Sequence, residues 1–246
     1  MEGLWMKTGS KNNLVIAGSG STSGGNYNDV KINGEGRVNG DLECVHFRTN
    51  GKSEVKGGIQ AESVQVHGVS KVAGEVKVQQ FKVNGHAEVQ ADVKSEEVKV
   101  YGYAEIKGRL SSEEVEIKGG VSIKGDCEAE RFSVKGGFHI EHMLNAGNIA
   151  IDLYRTSKVK EIGGEKITIR KPSHSLLDKV KMIFNLSGEL SAESIEGDDI
   201  YLEHTRAKVV RGNHIHIGPG CEIDRVEYKG SFKSDKEAKV RDCVQQ

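Results

Sequence analysis

Apolar residues return every 17 positions along this chain, from residue 30 to about residue 150. Within each 17-residue unit, apolar or small side chains occupy alternate positions, and polar or charged side chains occupy most of the positions between them. This alternation with a period of two predicts β-strands that bury one face and expose the other to water. A constant period of this length predicts one structural unit that is stacked many times.

Two columns of the repeat define the predicted coil. The first position of every unit is apolar, at Val30, Phe47, Val64, Phe81, Val98, Val115, Phe132 and Ile149. Four positions further on, successive units carry glycine, at Gly34, Gly51, Gly68, Gly85, Gly102, Gly119 and Gly136. These glycines predict tight corners with positive φ angles, which glycine adopts without steric cost. One such unit cannot bury its hydrophobic face alone, so we predict an all-β fold, a parallel β-helix (β-solenoid) with about 17 residues per coil.

The pattern divides the chain into five parts. Residues 1–28 lack the repeat and predict a flexible N-terminal tail, in which residues 14–16 suggest a short strand and residues 18–25 are rich in glycine and serine. Residues 29–170 carry the regular repeat. Residues 171–185 interrupt it at Pro172, and residues 175–184 have the spacing of a short helix with Ser175 as its N-cap. Residues 186–232 predict further irregular coils or a cap, and residues 233–246 predict a charged C-terminal tail with frayed ends.

Composition excludes some classes of protein. The 246 residues carry a formal net charge of -1, so no overall attraction to nucleic acid follows. None of the four cysteines forms a C-x-x-C pair, and we expect them to remain reduced thiols in the cytoplasm, the default compartment. Neither a signal peptide nor a run of 18 apolar residues is found, so we expect no membrane-spanning segment.

The sequence contains only weak signals for a chemical site. Glycines six residues apart suggest the left-handed hexapeptide acyltransferases, but the coil has 17 residues rather than 18, and His67 and His86 lie at outward positions. His214 and His216 share a strand face near Cys221, which would suit zinc but is more typical of a strand with two outward histidines. We predict no catalytic residue, cofactor or metal site. A diverged hexapeptide-type acyltransferase or a ligand-binding module is the alternative.

Two features indicate assembly. Residues 4–7 (Leu4, Trp5, Met6 and Lys7) form an apolar patch with a cation that suits a membrane interface. A disordered start of the chain, or docking of the patch onto the first coil, is an equal alternative. A β-helix also has two open ends with unpaired backbone N–H and C=O groups, and such edges are templates for another chain unless they are covered. Open stacking of this kind produces fibres.

The repeat V-x-[VI]-x-G-x-x-x-V-x-G-x-[VIL], as in Val64 to Val76, resembles that of the bactofilins, which are bacterial polymer-forming cytoskeletal proteins. The resemblance covers residues 29–170, whereas residues 186–232 are longer and less regular than a single bactofilin domain usually is. It implies a right-handed β-helix that assembles end to end into nonpolar filaments without nucleotide. It also implies a cytoplasmic scaffold for cell shape, cell-wall enzymes, polar organisation or motility, held at the inner membrane face by a short N-terminal segment. The implied partners are copies of the chain itself, a paralogous filament protein, the inner membrane surface and cell-envelope or motility proteins.

Overall fold

The structure of the protein is a computed structural model that describes residues 12–172 and 188–246. These residues form strands and turns, and no helix is present among them. The strands belong to one sheet that winds around a central core. They are β1 (Leu14–Ile16), β2 (Ser19–Asn26), β3 (Asp29–Ile32), β4 (Glu35–Thr49), β5 (Lys52–Val55), β6 (Ile59–Val66), β7 (Val69–Val72), β8 (Val76–Val83), β9 (His86–Val89), β10 (Val93–Val100), β11 (Tyr103–Ile106), β12 (Leu110–Ile117), β13 (Gly120–Ile123), β14 (Cys127–Leu153), β15 (Ser157–Arg170), β16 (Leu190–Leu202), β17 (Thr205–Ile217), β18 (Glu222–Ser234) and β19 (Lys239–Gln245).

Every strand pairs in parallel with the strand one coil away. Val30 lies beside Phe47, and Phe47 lies beside Val64, so one coil corresponds to 17 residues. The same step holds along the repeat, where Val115 lies beside Phe132. Neighbouring strands are separated by about 4.8 Å, which is therefore the rise of each coil. The predicted all-β parallel solenoid with about 17 residues per coil is confirmed.

The predicted first-position column forms part of the core. All eight of its residues are buried, and none is more than 2 % exposed. The column contains three phenylalanines, and Phe132 packs edge to face against Phe138 with ring centroids 5.7 Å apart. Polar side chains also point inward, and Ser53 donates a hydrogen bond of 2.9 Å to the Ser70 hydroxyl one coil on. The stacked coils therefore bury a continuous core that no single coil could provide.

The corner glycines have a different role from the predicted one. Among the described glycines, positive φ angles occur at Gly18, Gly25, Gly40 and Gly220, and at none of the seven corner glycines. Instead, a Cβ atom at each corner glycine would overlap the carbonyl oxygen of the glycine one coil earlier, as Gly102 would with Gly85. Successive coils approach so closely at this corner that no side chain fits between them. The prediction of positive φ was wrong, and close stacking is what requires glycine here.

The beginning of the described chain belongs to the solenoid. We predicted a flexible tail with a short strand at residues 14–16. That strand is present as β1 and pairs with β3, but residues 19–26 are not a linker, because β2 pairs with β4. Leu14 lies beside Val30, so this first coil is one residue shorter than the next. Its glycine and serine content suggested a linker, yet these small residues form a strand that pairs with β4. Residues 1–11, including the patch at residues 4–7, lie outside the described residues.

Coils also continue towards the C-terminus. Ile149 lies beside Ile167, Ile167 lies beside Ile200, and Ile200 lies beside Ile215. Coil length therefore varies while the inward column stays aligned. The prediction that residues 233–246 fray was wrong, because β19 pairs with β18. The helix predicted at residues 175–184 lies outside the described residues.

Candidate assembly interface

The N-terminal end of the solenoid is an open strand edge in the part of the chain that the structure describes. β1 and β2 have later strands on one side, and no described strand lies on the other. Residues 12–28 contain no Asp, Glu, Lys or Arg. Leu14 and Ile16 are half-buried against the core, and Val15 is 60 % exposed. This end therefore presents backbone hydrogen-bonding groups and a thin apolar slice without charge.

The C-terminal end is an open edge of opposite character. β19 pairs with β18 on one side, and no described strand covers its other side. Seven of the fourteen residues from 233 to 246 are charged. The preceding coil holds several of them, since Lys239 Nζ lies 2.8 Å from Glu222 Oε1 and Arg241 lies 2.9 Å from Asp224. The hydrogen bond from Lys239 lowers the pKa of the Glu222 carboxyl group.

One long wall of the solenoid is neutralised by ion pairs between consecutive coils. Lys52 Nζ lies 2.9 Å from Glu35, and Arg37 Nε lies 2.9 Å from Glu54. Hydrogen bonds from Lys56 and Arg37 lower the pKa of the Glu54 carboxyl group. Exposed pairs of this kind contribute little to stability individually. They do leave this wall with few unpaired charges to attract a charged ligand.

A second corner of the solenoid carries carboxylates that have no such partners. This acidic ridge occupies one position in successive coils, with Gln79 and Gly147 as its neutral gaps. All of its members are exposed, and no ion pair or hydrogen bond from a cation reaches any of them among the described residues. They are Glu62, Glu96, Glu113, Glu130, Glu165 and Asp198. Like charges stacked on neighbouring strands repel each other.

Removing one of these charges is expected to stabilise the solenoid. Glu113 lies between Glu96 and Glu130, one coil away on either side. Glu113→Gln should therefore raise the free energy of unfolding by about 0.5 kcal/mol at low salt. Urea denaturation followed by circular dichroism measures the change, which should disappear in about 1 M salt because the charges are then screened. Glu54→Gln is the control, since this carboxylate is already paired, and equal stabilisation by both variants would contradict the repulsion.

The histidines near the C-terminus each have a partner of their own. His214 Nδ1 lies 3.0 Å from the Ser231 hydroxyl, and His216 Nε2 lies 3.3 Å from Asp235. Cys221 is buried, and burial raises the pKa of its thiol to about 11, so it remains protonated at neutral pH. Residues 12–172 and 188–246 contain no group of three His, Cys, Asp or Glu side chains arranged to hold a metal ion. The zinc alternative therefore gains no support from the described residues.

An adjacent polar network was not found by sequence reasoning. Tyr201 donates a hydrogen bond of 2.6 Å to Glu203, and its ring packs edge to face on His216 with centroids 4.9 Å apart. The bond to Glu203 raises the pKa of Tyr201 to about 12. A phenol that is so hard to deprotonate is a poor nucleophile or base at neutral pH. These contacts join neighbouring side chains of the C-terminal coils, which suits a structural role.

The two histidines weighed as hexapeptide-type catalysts lie on the outer wall. His67 Nδ1 lies 3.4 Å from the Asn84 side chain, and the His86 ring stacks on Tyr103 with centroids 5.4 Å apart. The predicted core residues and corner glycines come together in columns, as described above. The residues that sequence reasoning missed are those of the two end coils and the acidic ridge. Their signals were the absence of charge from residue 12 to 28 and the return of glutamate every 17 positions.

Among the described residues, no helix has the length and apolar character needed to cross a bilayer. No disulfide bond joins any of the four cysteines, all of which lie among the described residues. Cys44, Cys127 and Cys221 are buried, whereas Cys243 on β19 is exposed. The C-terminal edge therefore carries the single accessible thiol of the chain.

Comparison with known proteins places the chain beside two proteins of Bacillus subtilis (strain 168), both described as uncharacterized. YhbF is 38 % identical over 101 residues, which cover 41 % of this chain and 40 % of YhbF. YhbE is 60 % identical over 230 residues, which cover 92 % of this chain and 95 % of YhbE. No known family's sequence model matches the chain, and no solved structure matches it. The identity to YhbE along nearly the whole of both chains shows that this protein belongs to the YhbE family.

Proposed function

We propose that this protein is a structural, cytoskeletal protein that assembles end to end into filaments without nucleotide. The observation that carries the proposal is the uncharged strand edge formed by β1 and β2, which no strand of the described chain covers. Exposed edges in soluble proteins are usually protected by charged residues, proline or a covering element. Residues 12–28 contain neither a charged residue nor a proline. An edge of this kind favours pairing with another strand edge.

The alignment of the inward columns from coil to coil supports the same function. Inward columns remain aligned from Val30 to Phe232, although coil length varies between them. The N-terminal coil therefore has nearly the outline of the interior coils, whereas β19 covers only residues 222–228 of β18. A second copy can continue the sheets and the core at about the spacing that separates coils within one chain. Contacts of this kind build a fibre when they do not close on themselves.

The cellular role belongs to the proposal as well. The likeness of the 17-residue repeat to the bactofilin repeat supports a cytoplasmic scaffold that organises cell shape, envelope enzymes or motility in a bacterium. In this proposal the patch at residues 4–7 holds the filament against the inner membrane face, since a tryptophan and aliphatic side chains beside a lysine suit the interface. The partners are further copies of the chain, a paralogous filament protein and envelope or motility proteins.

Electron microscopy of the purified protein tests the assembly. In buffer with a chelator and no nucleotide, we expect unbranched filaments whose amount rises with protein concentration. A protein that sediments as a monomer at every salt and protein concentration would rule out assembly. Incubation with anionic liposomes tests the membrane contact, because deletion of residues 1–7 should abolish co-sedimentation while leaving the filaments intact.

A further inference from the structure

One corner of the solenoid gathers exposed apolar side chains from its interior coils. This aromatic corner is formed by a three-residue segment from each of five successive coils, namely residues 67–69, 84–86, 101–103, 118–120 and 135–137. Of the large hydrophobic residues that are exposed in the described chain, Val69, Tyr101 and Tyr103 lie here, at 47 %, 38 % and 41 % exposure. Val69 and Tyr103 stand in one column, with His86 between them. Apolar surface that is gathered in one place marks an interaction site, whereas singly scattered residues do not.

The charge of the aromatic corner is positive. Its five segments include Lys118 and Lys135 and contain no aspartate or glutamate. Lys82 adds a third ammonium group, 5.4 Å from the centre of the Tyr101 ring. Lys118 lies 2.6 Å from Glu116, but neither Lys82 nor Lys135 forms an ion pair with a carboxylate among the described residues. Two uncompensated cations therefore lie beside the aromatic rings, which suits an anionic partner.

Neighbouring side chains hold the aromatic rings in fixed positions. Tyr103 stacks on His86 with ring centroids 5.4 Å apart, and it also lies against Gly120, where an added Cβ would be 3.1 Å from the ring. The ammonium group of Lys118 lies 5.3 Å from the centre of the Tyr101 ring. These contacts occupy ring faces on which a sugar or a nucleobase would stack. Tyrosines that are already ordered lose little conformational entropy on binding, which is why they are common at the centres of protein interfaces.

We propose that the aromatic corner docks another protein through an acidic segment that carries a large apolar side chain. The carboxylates of the segment meet Lys82 and Lys135, and its apolar side chain packs against the exposed surface of Tyr101 and Tyr103. Opposite charges speed the encounter, and the buried aromatic contact supplies most of the affinity. In the cell this docking rests on the proposed scaffold function, whereas the contact itself requires only the folded solenoid.

Two other occupants fit the corner less well. The acidic ridge of a second copy matches the lysines, but its members are carboxylates, and its neutral gaps are Gln79 and Gly147. It would leave the exposed tyrosines without an apolar partner. A membrane surface would extend beyond the corner over the neighbouring wall, where Lys71 and Glu88 form an exposed ion pair at 3.2 Å. Removing such a pair from water costs free energy, and a narrow acidic segment avoids that cost.

Fluorescence anisotropy with labelled synthetic peptides tests the docking. The probe is a soluble peptide of glutamate, serine and glycine with a central tryptophan. Two companion peptides replace either the tryptophan by serine or the glutamates by lysines. We expect saturable binding of the probe, binding about tenfold weaker without the tryptophan, and no binding of the lysine peptide. Binding of the probe should weaken in about 1 M sodium chloride, where charges are screened.

Matched variants locate the contact on the solenoid. Tyr101→Ser and Lys135→Ser should each weaken binding of the probe, by about tenfold for the tyrosine. Met143→Ser removes an equally exposed apolar side chain, and Lys77→Ser removes an exposed lysine, both away from the corner. Neither control should change the affinity. Circular dichroism shows whether the variants are folded, and Lys135→Ser still tests the contact if Tyr101→Ser is unfolded.

Three results would overturn the docking. They are no saturable binding of the probe below about 1 mM, equal binding of the lysine peptide, and unchanged affinity in both Tyr101→Ser and Lys135→Ser. Binding to anionic liposomes, or lateral association of copies, that Lys135→Ser abolishes in a protein that ignores the probe would assign the corner to a membrane or to a second copy instead. Failure of the proposed function looks different. A protein that binds the probe but forms no filaments at any concentration would support the docking and reject the filament.

Discussion

The Val89→Asp variant is expected to be unfolded under conditions in which the unmodified protein is stable. Val89 is 1 % exposed and stands in an inward column between Val72 and Ile106. A carboxylate at this position has aliphatic neighbours above and below and no cation beside it. Burial of an unpaired charge is among the few changes that cost more than about 4 kcal/mol. Circular dichroism and urea denaturation should show loss of the sheet signal or a much lower midpoint.

The chain contains a matched control for this experiment. Val69 is 47 % exposed on β7, so Val69→Asp makes the same chemical change on an outward position. It should shift the urea midpoint only slightly, because its carboxylate remains in water. Similar losses in the two variants would show that aspartate disfavours strands here whichever way it points. That result would contradict the assignment of inward and outward columns.

The second large effect is expected at a corner glycine. Gly102 does not have a positive φ, so alanine is compatible with its backbone conformation. Its Cβ, however, would overlap the carbonyl oxygens of Gly85 and Asn84 in the coil before it. Since these are backbone atoms of a close-packed stack, relief requires the two coils to separate locally. We expect Gly102→Ala to lower the free energy of unfolding by about 3 kcal/mol, measured by urea denaturation.

Gly163→Ala is the corresponding control. The nearest atom to a Cβ at Gly163 is the side-chain oxygen of Asn145, 3.3 Å away at the free end of a rotatable group. This variant should be close to the unmodified protein in stability. A small effect of Gly102→Ala would mean that the coils can separate at this corner without loss. In that case, close stacking would not explain the glycine column.

These experiments also bear on the proposed assembly, because its end contacts would depend on the stack behind them. A filament can continue the sheets of the solenoid only if its end coils keep the alignment of the interior coils. Gly102→Ala should loosen an interior coil, but the end coils lie several coils away. We therefore expect this variant to have a lower free energy of unfolding and still to form filaments. Val15→Lys on β1 should do the reverse, leaving the free energy of unfolding nearly unchanged while preventing filament formation. The comparison separates loss of folding from loss of an assembly surface.

The 17-residue repeat was sufficient to predict the parallel β-solenoid from the sequence alone. Alternation with a period of two identifies which side chains enter the core, and the constant spacing places Val30, Phe47 and Val64 in one column. Both signals are local or strictly periodic, so they can be read from a single chain. The eight first-position residues are buried for this reason.

Tertiary structure decided the rest, because the deciding contacts join residues one coil apart. Glycine and serine at residues 18–25 are compatible with a linker or a strand, and pairing with β4 selects the strand. Charges at Lys239 and Arg241 suggest a frayed tail until the preceding coil supplies Glu222 and Asp224. The corner glycines are needed because the backbones of successive coils come into contact there. This contact is between coils, so it cannot be inferred from the sequence of one coil. The sequence by itself thus determined what each coil buries, and only the stacking of coils decided which of the described segments belong to the solenoid.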